Sequence, residues 1–139
     1  LRARAEESIR PKLPPEGVLL ISRDPELAGE VGRALEGLHP LRSAPPVMGP
    51  FKDALEPPPR LLLVDTVGIT GEERHRLRGL LESQPPGCPI LVLGRGGDPE
   101  AWRPLVTELR AHLYITWNSG QASFFRRLVQ GLILRHGKA

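Results

Sequence analysis

Short runs of apolar residues alternate along the chain with longer segments in which apolar residues recur at helical spacing. Residues 18–21, 61–64 and 89–93 are continuous apolar runs, a pattern typical of strands that are covered on both faces of a sheet. A weaker run at 41–44 and a last run at 112–116 bring the number of predicted strands to five. Segments rich in proline and glycine separate the runs, which indicates that they are distinct elements.

The segments after the first and third strands contain helix-start residues. Asp24 is a good N-cap immediately before Pro25, because its carboxylate can accept a hydrogen bond from a free N–H of the first turn. Thr70 and Glu73 have the spacing of a capping box, in which each side chain binds the backbone N–H of the other residue. Both segments are therefore predicted to be helices with one apolar face.

The other three predicted helices are less uniform. Residues 51–55 lie between prolines and are a poor helix candidate. Pro104 falls inside the helix expected to begin near Pro99, which predicts either a kink or a late start. Residues 121–136 predict a long final helix with a broad apolar face.

Five repeats of a strand followed by a helix predict a parallel sheet with helices on both faces. Right-handed crossovers leave few topologies, and the flavodoxin-like doubly wound order is favoured for five strands. We predict one α/β domain of this kind over residues 17–137. Residues 1–16, which include several prolines, are predicted to be a linker or the end of an upstream helix.

The composition limits the cellular compartments and the classes of partner that can be expected. The single cysteine, Cys88, excludes an internal disulfide, and no apolar run reaches the about 20 residues that a membrane helix needs. These features predict a cytoplasmic protein without a membrane partner. The net charge is +3, yet residues 17–125 contain eleven basic and thirteen acidic residues. A nucleic-acid partner is therefore not favoured.

In sheets of this class, functional groups collect where the strands end. The residues at these positions are Ser22, Arg23, Asp24, Asp65, Thr66, Gly94, Arg95, Thr116, Trp117 and Asn118. A buried strand that ends in Asp65, together with the segment 18–27, resembles the receiver domain of two-component response regulators. The order of elements matches that family from residue 17 to residue 136.

The resemblance implies that Asp65 lies at the phospho-accepting position. The family's two adjacent acids, which help to hold Mg²⁺, correspond to Ser22 and Arg23. Asp24 lies one position later and is better explained as the helix N-cap. The family's hydroxyl residue corresponds to Gly94, and its lysine corresponds to Trp117.

Only Asp65 of the family's phosphorylation residues is therefore in place. Magnesium prefers several hard oxygen ligands, and phosphoryl transfer depends on positioning and on neutralising charge. We predict a non-catalytic pseudo-receiver without metal or cofactor, acting as a regulatory protein-interaction or dimerisation module within a larger signalling protein. Two alternatives remain open: a phospho-accepting receiver that uses Asp65 with Asp24 as a ligand, and a small-ligand-binding α/β domain.

Two arginines should flank Asp65. Either Arg23 or Arg95 can be placed so that its guanidinium pairs with the Asp65 carboxylate and stands in for the metal. The alternative is that both side chains point into solvent.

Three aromatic residues are candidates for contact with a partner. Phe124 and Phe125 lie on the broad apolar face of the final helix, where one of them is expected to be partly exposed. Trp117 either anchors a partner or simply covers the end of the sheet. The partner is expected to be another protein, another domain of the same chain, or a second copy.

Overall fold

The computed structural model describes residues 16–56, 58–82, 88–95 and 99–136. Strands and helices alternate through these residues. The strands are β1 (Val18–Ile21), β2 (Leu41–Ala44), β3 (Leu61–Asp65), β4 (Ile90–Gly94) and β5 (Leu113–Thr116). The helices are α1 (Pro25–Ala34), α2 (Met48–Ala54), α3 (Gly71–Glu82), α4 (Pro99–Leu109) and α5 (Ala122–His136), with a short 3₁₀ turn at Ser119–Gln121.

The five strands form one parallel sheet in the order β2-β1-β3-β4-β5. This is the predicted flavodoxin-like order, which is confirmed. Asp65 at the end of β3 is in register with Leu93 of β4, and Gly94 is in register with Thr116 of β5. Because the strands are parallel, their carboxyl ends lie along one edge of the sheet.

Helices cover both faces of the sheet. Successive residues of each strand point to opposite faces, so each strand contributes side chains to two cores. Leu20 and Leu63 pack with α1 and α5 in one core. Ile21 and Val64 pack with α2, α3 and α4 in the other. In the first core, α5 also binds the end of α1, since Arg126 donates hydrogen bonds to the carbonyl oxygens of Ala34 and Glu36 at 3.0 and 2.8 Å.

The cap residues behave as the sequence predicts. The Asp24 carboxylate accepts a hydrogen bond from the Glu26 backbone N–H at 2.9 Å. The Thr70 hydroxyl accepts from the backbone N–H of Glu73, and the Glu73 carboxylate accepts from that of Thr70, both at 3.1 Å. The predicted capping box at the start of α3 is confirmed.

Two helices differ from the sequence prediction. The poor candidate at 51–55 belongs to a regular helix that begins at Met48, because Phe51 is completely buried against the sheet and anchors it. Helix α4 begins at Pro99 and includes Pro104, so it does not start late.

Residues 1–15, and with them nearly all of the predicted linker, lie outside the described residues. Within the part of the chain that is described, the helices are too short or too polar to span a bilayer.

Candidate functional site

Asp65 is a buried carboxylate that accepts four hydrogen bonds. It is the last residue of β3, and its side chain is 1% exposed. Its Oδ2 accepts from the Ser22 hydroxyl at 2.7 Å and from Arg95 Nη2 at 3.3 Å. Its Oδ1 accepts from the Val67 backbone N–H at 3.1 Å and from Arg95 Nε at 3.2 Å. The charge is thus compensated by one guanidinium and two neutral donors.

One guanidinium serves two carboxylates at this edge. Arg95, directly after β4, also donates from Nη2 to Asp24 Oδ2 at 2.6 Å. The pKa of Asp24 is lowered, mainly by this hydrogen bond. Asp24 therefore caps α1 with one oxygen and binds Arg95 with the other.

The hypothesis that an arginine pairs with Asp65 is met by Arg95 and not by Arg23. Arg23 donates to the Glu73 carboxylate, at 2.9 Å between Nη1 and Oε1, and also to the carbonyl oxygen of Gly68. The hydrogen bond from Arg23 is the largest cause that lowers the pKa of Glu73 to about 2. Arg23 thus ties the loop after β1 to the start of α3.

Ser22 lies where the resemblance places the first of two acids. Its side chain is nearly buried, and its hydroxyl donates to Asp65 while it accepts from the Asp24 backbone N–H at 3.0 Å. The sequence showed only that an acid is replaced at this position. The structure adds that the replacement is a hydrogen-bond donor to the remaining carboxylate.

The place above Gly94 is filled by Tyr114. A Cβ atom on Gly94 would lie 1.9 Å from Tyr114 Oη and 2.5 Å from its Cζ. Tyr114 belongs to β5 and is in register with Val92 of β4. Its side chain extends beyond Val92 to Gly94, at the end of β4. Sequence reasoning missed Tyr114, because strand alternation gives the face of a side chain but not its reach along the strand.

Trp117 covers the end of the sheet. Its Nε1 donates to Glu30 Oε1 on α1 at 2.9 Å. Its ring meets the Phe125 ring edge to face, with centroids 4.9 Å apart. The N–H and the ring of the indole both have partners within the domain. This favours the interpretation that Trp117 covers the end of the sheet over the interpretation that it is an exposed anchor for a partner.

The two phenylalanines of α5 have opposite environments. Phe125 is 2% exposed and packs in the core with α1, so the expectation that it contacts a partner is wrong for the folded domain. Phe124 is 52% exposed and remains the candidate contact residue of this helix.

The residues present do not suit the magnesium ion that the fold family implies. The two carboxylates that face each other at this edge, Asp24 and Asp65, already hold the Arg95 guanidinium between them. A dication placed there would meet a permanent positive charge, and Asp65 would have to exchange its present donors. Among the described residues there is no cluster of three or more His, Cys, Asp or Glu that suits a metal ion.

No protein-family model matches the sequence, and no curated protein matches it. Solved structures do match the fold. A CheY-like protein (tadZ) from Pseudomonas aeruginosa PAO1 is similar with a TM-score of 0.67 and 16% identity, over 84% of this chain and 98% of that one. A CheY-like receiver domain protein from Methanospirillum hungatei JF-1 gives 0.65 and 15%, over 90% and 99%.

A longer protein shows the same fold in part of its chain. The response regulator DrrB, an OmpR/PhoB homologue from Thermotoga maritima, matches with a TM-score of 0.61 and 17% identity, over 87% of this chain and 54% of DrrB. The present chain therefore spans about half of that regulator. The sheet order, the helices on both faces and these likenesses together show that the chain has the fold of the CheY-like receiver domains of response regulators.

Proposed function

We propose that this domain is a non-catalytic pseudo-receiver that acts as a regulatory interaction module within a larger signalling protein. The observation that carries the proposal is the Arg95 guanidinium, which binds Asp65 through two nitrogens and Asp24 through one of them. The positive charge that a receiver takes from a metal ion is supplied here by the chain itself.

The hydrogen bonds of Asp65 also bear on its reactivity. An ionised carboxylate has about four lone-pair sites, two on each oxygen. Each oxygen of Asp65 accepts two hydrogen bonds, from Val67 and Arg95 on one side and from Ser22 and Arg95 on the other. Attack on a phosphodonor would require at least one of these bonds to break inside a buried site, which raises the barrier to reaction.

The positions that would assist phosphoryl transfer are occupied by other groups. Gly94 offers no hydroxyl, and Tyr114 fills the space above it. Trp117 offers an indole that is bound to Glu30 in place of an ammonium group. Without these groups, little remains to stabilise the charge that develops on a transferring phosphoryl group.

A phospho-accepting receiver is the second candidate, and one observation favours it. Asp24 and Asp65 bind the same guanidinium, so both carboxylates would face a common space if Arg95 moved away. In that conformation, Asp24 would supply the acid that the position of Ser22 lacks.

A magnesium and beryllofluoride titration separates these candidates. For the 139-residue chain we expect amide NMR signals of Asp65, Ser22 and Arg95 to stay unchanged at millimolar concentrations of both, because the guanidinium occupies the cation position. Saturable shifts at these three residues, with a defined stoichiometry, would contradict the pseudo-receiver and favour the phospho-accepting receiver.

We further propose that Phe124 is part of the surface through which the domain meets a second copy. Phe124 is a large apolar side chain that is 52% exposed, and aromatic residues, phenylalanine among them, are enriched at protein–protein interfaces. We expect Phe124→Ser to weaken self-association at least about tenfold with little loss of stability, measured by analytical ultracentrifugation over a range of concentrations.

Leu134→Ser is the matched control for that substitution. Leu134 lies on the same helix and is 66% exposed, so its replacement removes a similar apolar group at a different place. A domain that stays strictly monomeric at high concentration would contradict the proposed self-association, as would equal effects of the two substitutions.

A further inference from the structure

The two helices that pack on one face of the sheet carry opposite charge. Helix α1 and the turn at residues 35–37 contain three glutamates and one arginine, whereas α5 contains three arginines and no acid. Both helices belong to the same core, and Arg126 joins them. Their outer surfaces therefore form one face of the domain that is acidic on α1 and basic on α5.

The charged groups at the outside of this face are available to a partner. Glu36 and Arg127 are exposed, and within the described part of the chain neither side chain forms a hydrogen bond or an ion pair. Arg126, in contrast, is bound to the end of α1. An acid and a guanidinium are thus both free on the same face.

Glu36 and Arg127 lie at about the same level along the two helices. Arg126, the neighbour of Arg127, donates to the carbonyl oxygen of Glu36 at 2.8 Å. Helices α1 and α5 each follow a parallel strand and pack on the same sheet face, so they run in the same direction. A two-fold axis parallel to them, between two copies that face each other, places α5 of each copy opposite α1 of the other.

This arrangement also gives Phe124 a partner. Phe124 lies three residues before Arg127, and Arg33 lies three residues before Glu36, so the two side chains come to the same level across the axis. Arg33 is exposed, and a guanidinium is attracted to the face of an aromatic ring. Gly29, one turn before Arg33, has no side chain that would block the approach of the ring.

We propose that the domain forms a two-fold symmetric dimer in which α5 of each copy packs against α1 of the other. The inference rests on the proposed self-association through Phe124 and names the surface that Phe124 meets. A contact of α5 with α5 would bring arginines together, which is unfavourable. The contact of α5 with α1 instead forms two equivalent ion pairs between Arg127 and Glu36, and it closes after two copies.

Sedimentation velocity of the 139-residue chain at low ionic strength tests this arrangement. Arg127→Glu and Glu36→Arg should each weaken dimerisation at least about tenfold, because each variant dimer then contains two contacts between like charges. An equimolar mixture of the two variants should dimerise about as tightly as the wild type, since every contact again joins opposite charges. Added salt should weaken the wild-type dimer.

Arg135→Glu is the matched control. Arg135 is an exposed arginine of the same helix, and it lies about two turns beyond Arg127, past the level of Glu36. We expect it to leave the dimer unchanged, and thermal denaturation verifies that each variant is folded.

Two results would overturn the inference alone. The first is a mixture of Arg127→Glu and Glu36→Arg that is no more dimeric than the separate variants. The second is an effect of Arg135→Glu as large as that of Arg127→Glu, which would show only a general effect of charge. If Phe124→Ser still weakens self-association, either result leaves the proposed self-association intact, whereas a strictly monomeric wild type overturns both.

Discussion

Replacing Arg95 with methionine is expected to lower the free energy of unfolding by about 2–3 kcal/mol. This loss is at or just below the usual cost of breaking a buried ion pair, because Arg95 is partly exposed. The Asp65 side chain is 1% exposed and that of Arg95 is 25% exposed, so the substitution leaves a buried carboxylate without its counter-ion. Methionine keeps much of the aliphatic stem and limits the loss of packing. Urea denaturation followed by circular dichroism measures the change.

Two further variants are needed to interpret this result. Asp65→Asn combined with Arg95→Met should cost less than the sum of the single substitutions, because the uncompensated charge is then absent. Arg23→Met is the matched control: Arg23 is 41% exposed and pairs with Glu73, so it should cost no more than about 1 kcal/mol. A variant Arg95→Met as stable as the wild type would show that the pairing with Asp65 is not important for the fold.

The second large effect is expected from Gly94→Ser, which places a hydroxyl at the position where the receiver family carries one. A Cβ atom there would lie 1.9 Å from Tyr114 Oη, so the ring must move out of its packed position. We expect a loss of about 1–3 kcal/mol, as for other over-packed sites, measured by thermal and urea denaturation.

Shortening the tyrosine should relieve this clash. In the background of Tyr114→Ala, Gly94→Ser should cost much less than it does alone, which is a direct test of the contact. Gly79→Ser on α3 is the matched control, since apart from its chain neighbours and the backbone of its own helix no atom lies within 4 Å of a Cβ at that position. Equal stability of Gly94→Ser and the wild type would contradict the described position of the Tyr114 ring.

The fold was accessible from the sequence where local signals agreed. The continuous apolar runs at 18–21 and 61–64 predicted the central strands, and Asp24 predicted the start of a helix; all three are confirmed. Helix α2 was less accessible, because Pro50 lies inside it and further prolines lie on both sides of it. It is stabilised by burial of Phe51, a tertiary effect that outweighs local propensity.

The site was only partly accessible for a different reason. The sequence placed Arg23 and Arg95 equally well beside Asp65. The choice between them depends on Glu73, whose carboxylate accepts from the Thr70 N–H in the capping box of α3 and also accepts from Arg23. Which arginine reaches Glu73 and which reaches Asp65 depends on distances in the folded domain. Spacing along the sequence does not give these distances.

The adjacent phenylalanines show the same limit at the scale of one helix. Neighbouring residues of a helix point about 100° apart, so a broad apolar face leaves open which of them is buried. The contact of Phe125 with Trp117 and the core places Phe125 inside and leaves Phe124 exposed.

The hydrogen bonds between α5 and the end of α1 have a consequence for folding during translation. Arg126 binds the carbonyl oxygens of Ala34 and Glu36 across about 90 residues of chain, and Phe125 fills the core beneath them. During translation, α1 and the strands β1 to β3 emerge long before the helix that completes their cover. Since contacts between distant residues form late and leave apolar surface exposed until then, this domain depends on α5 to complete its native state.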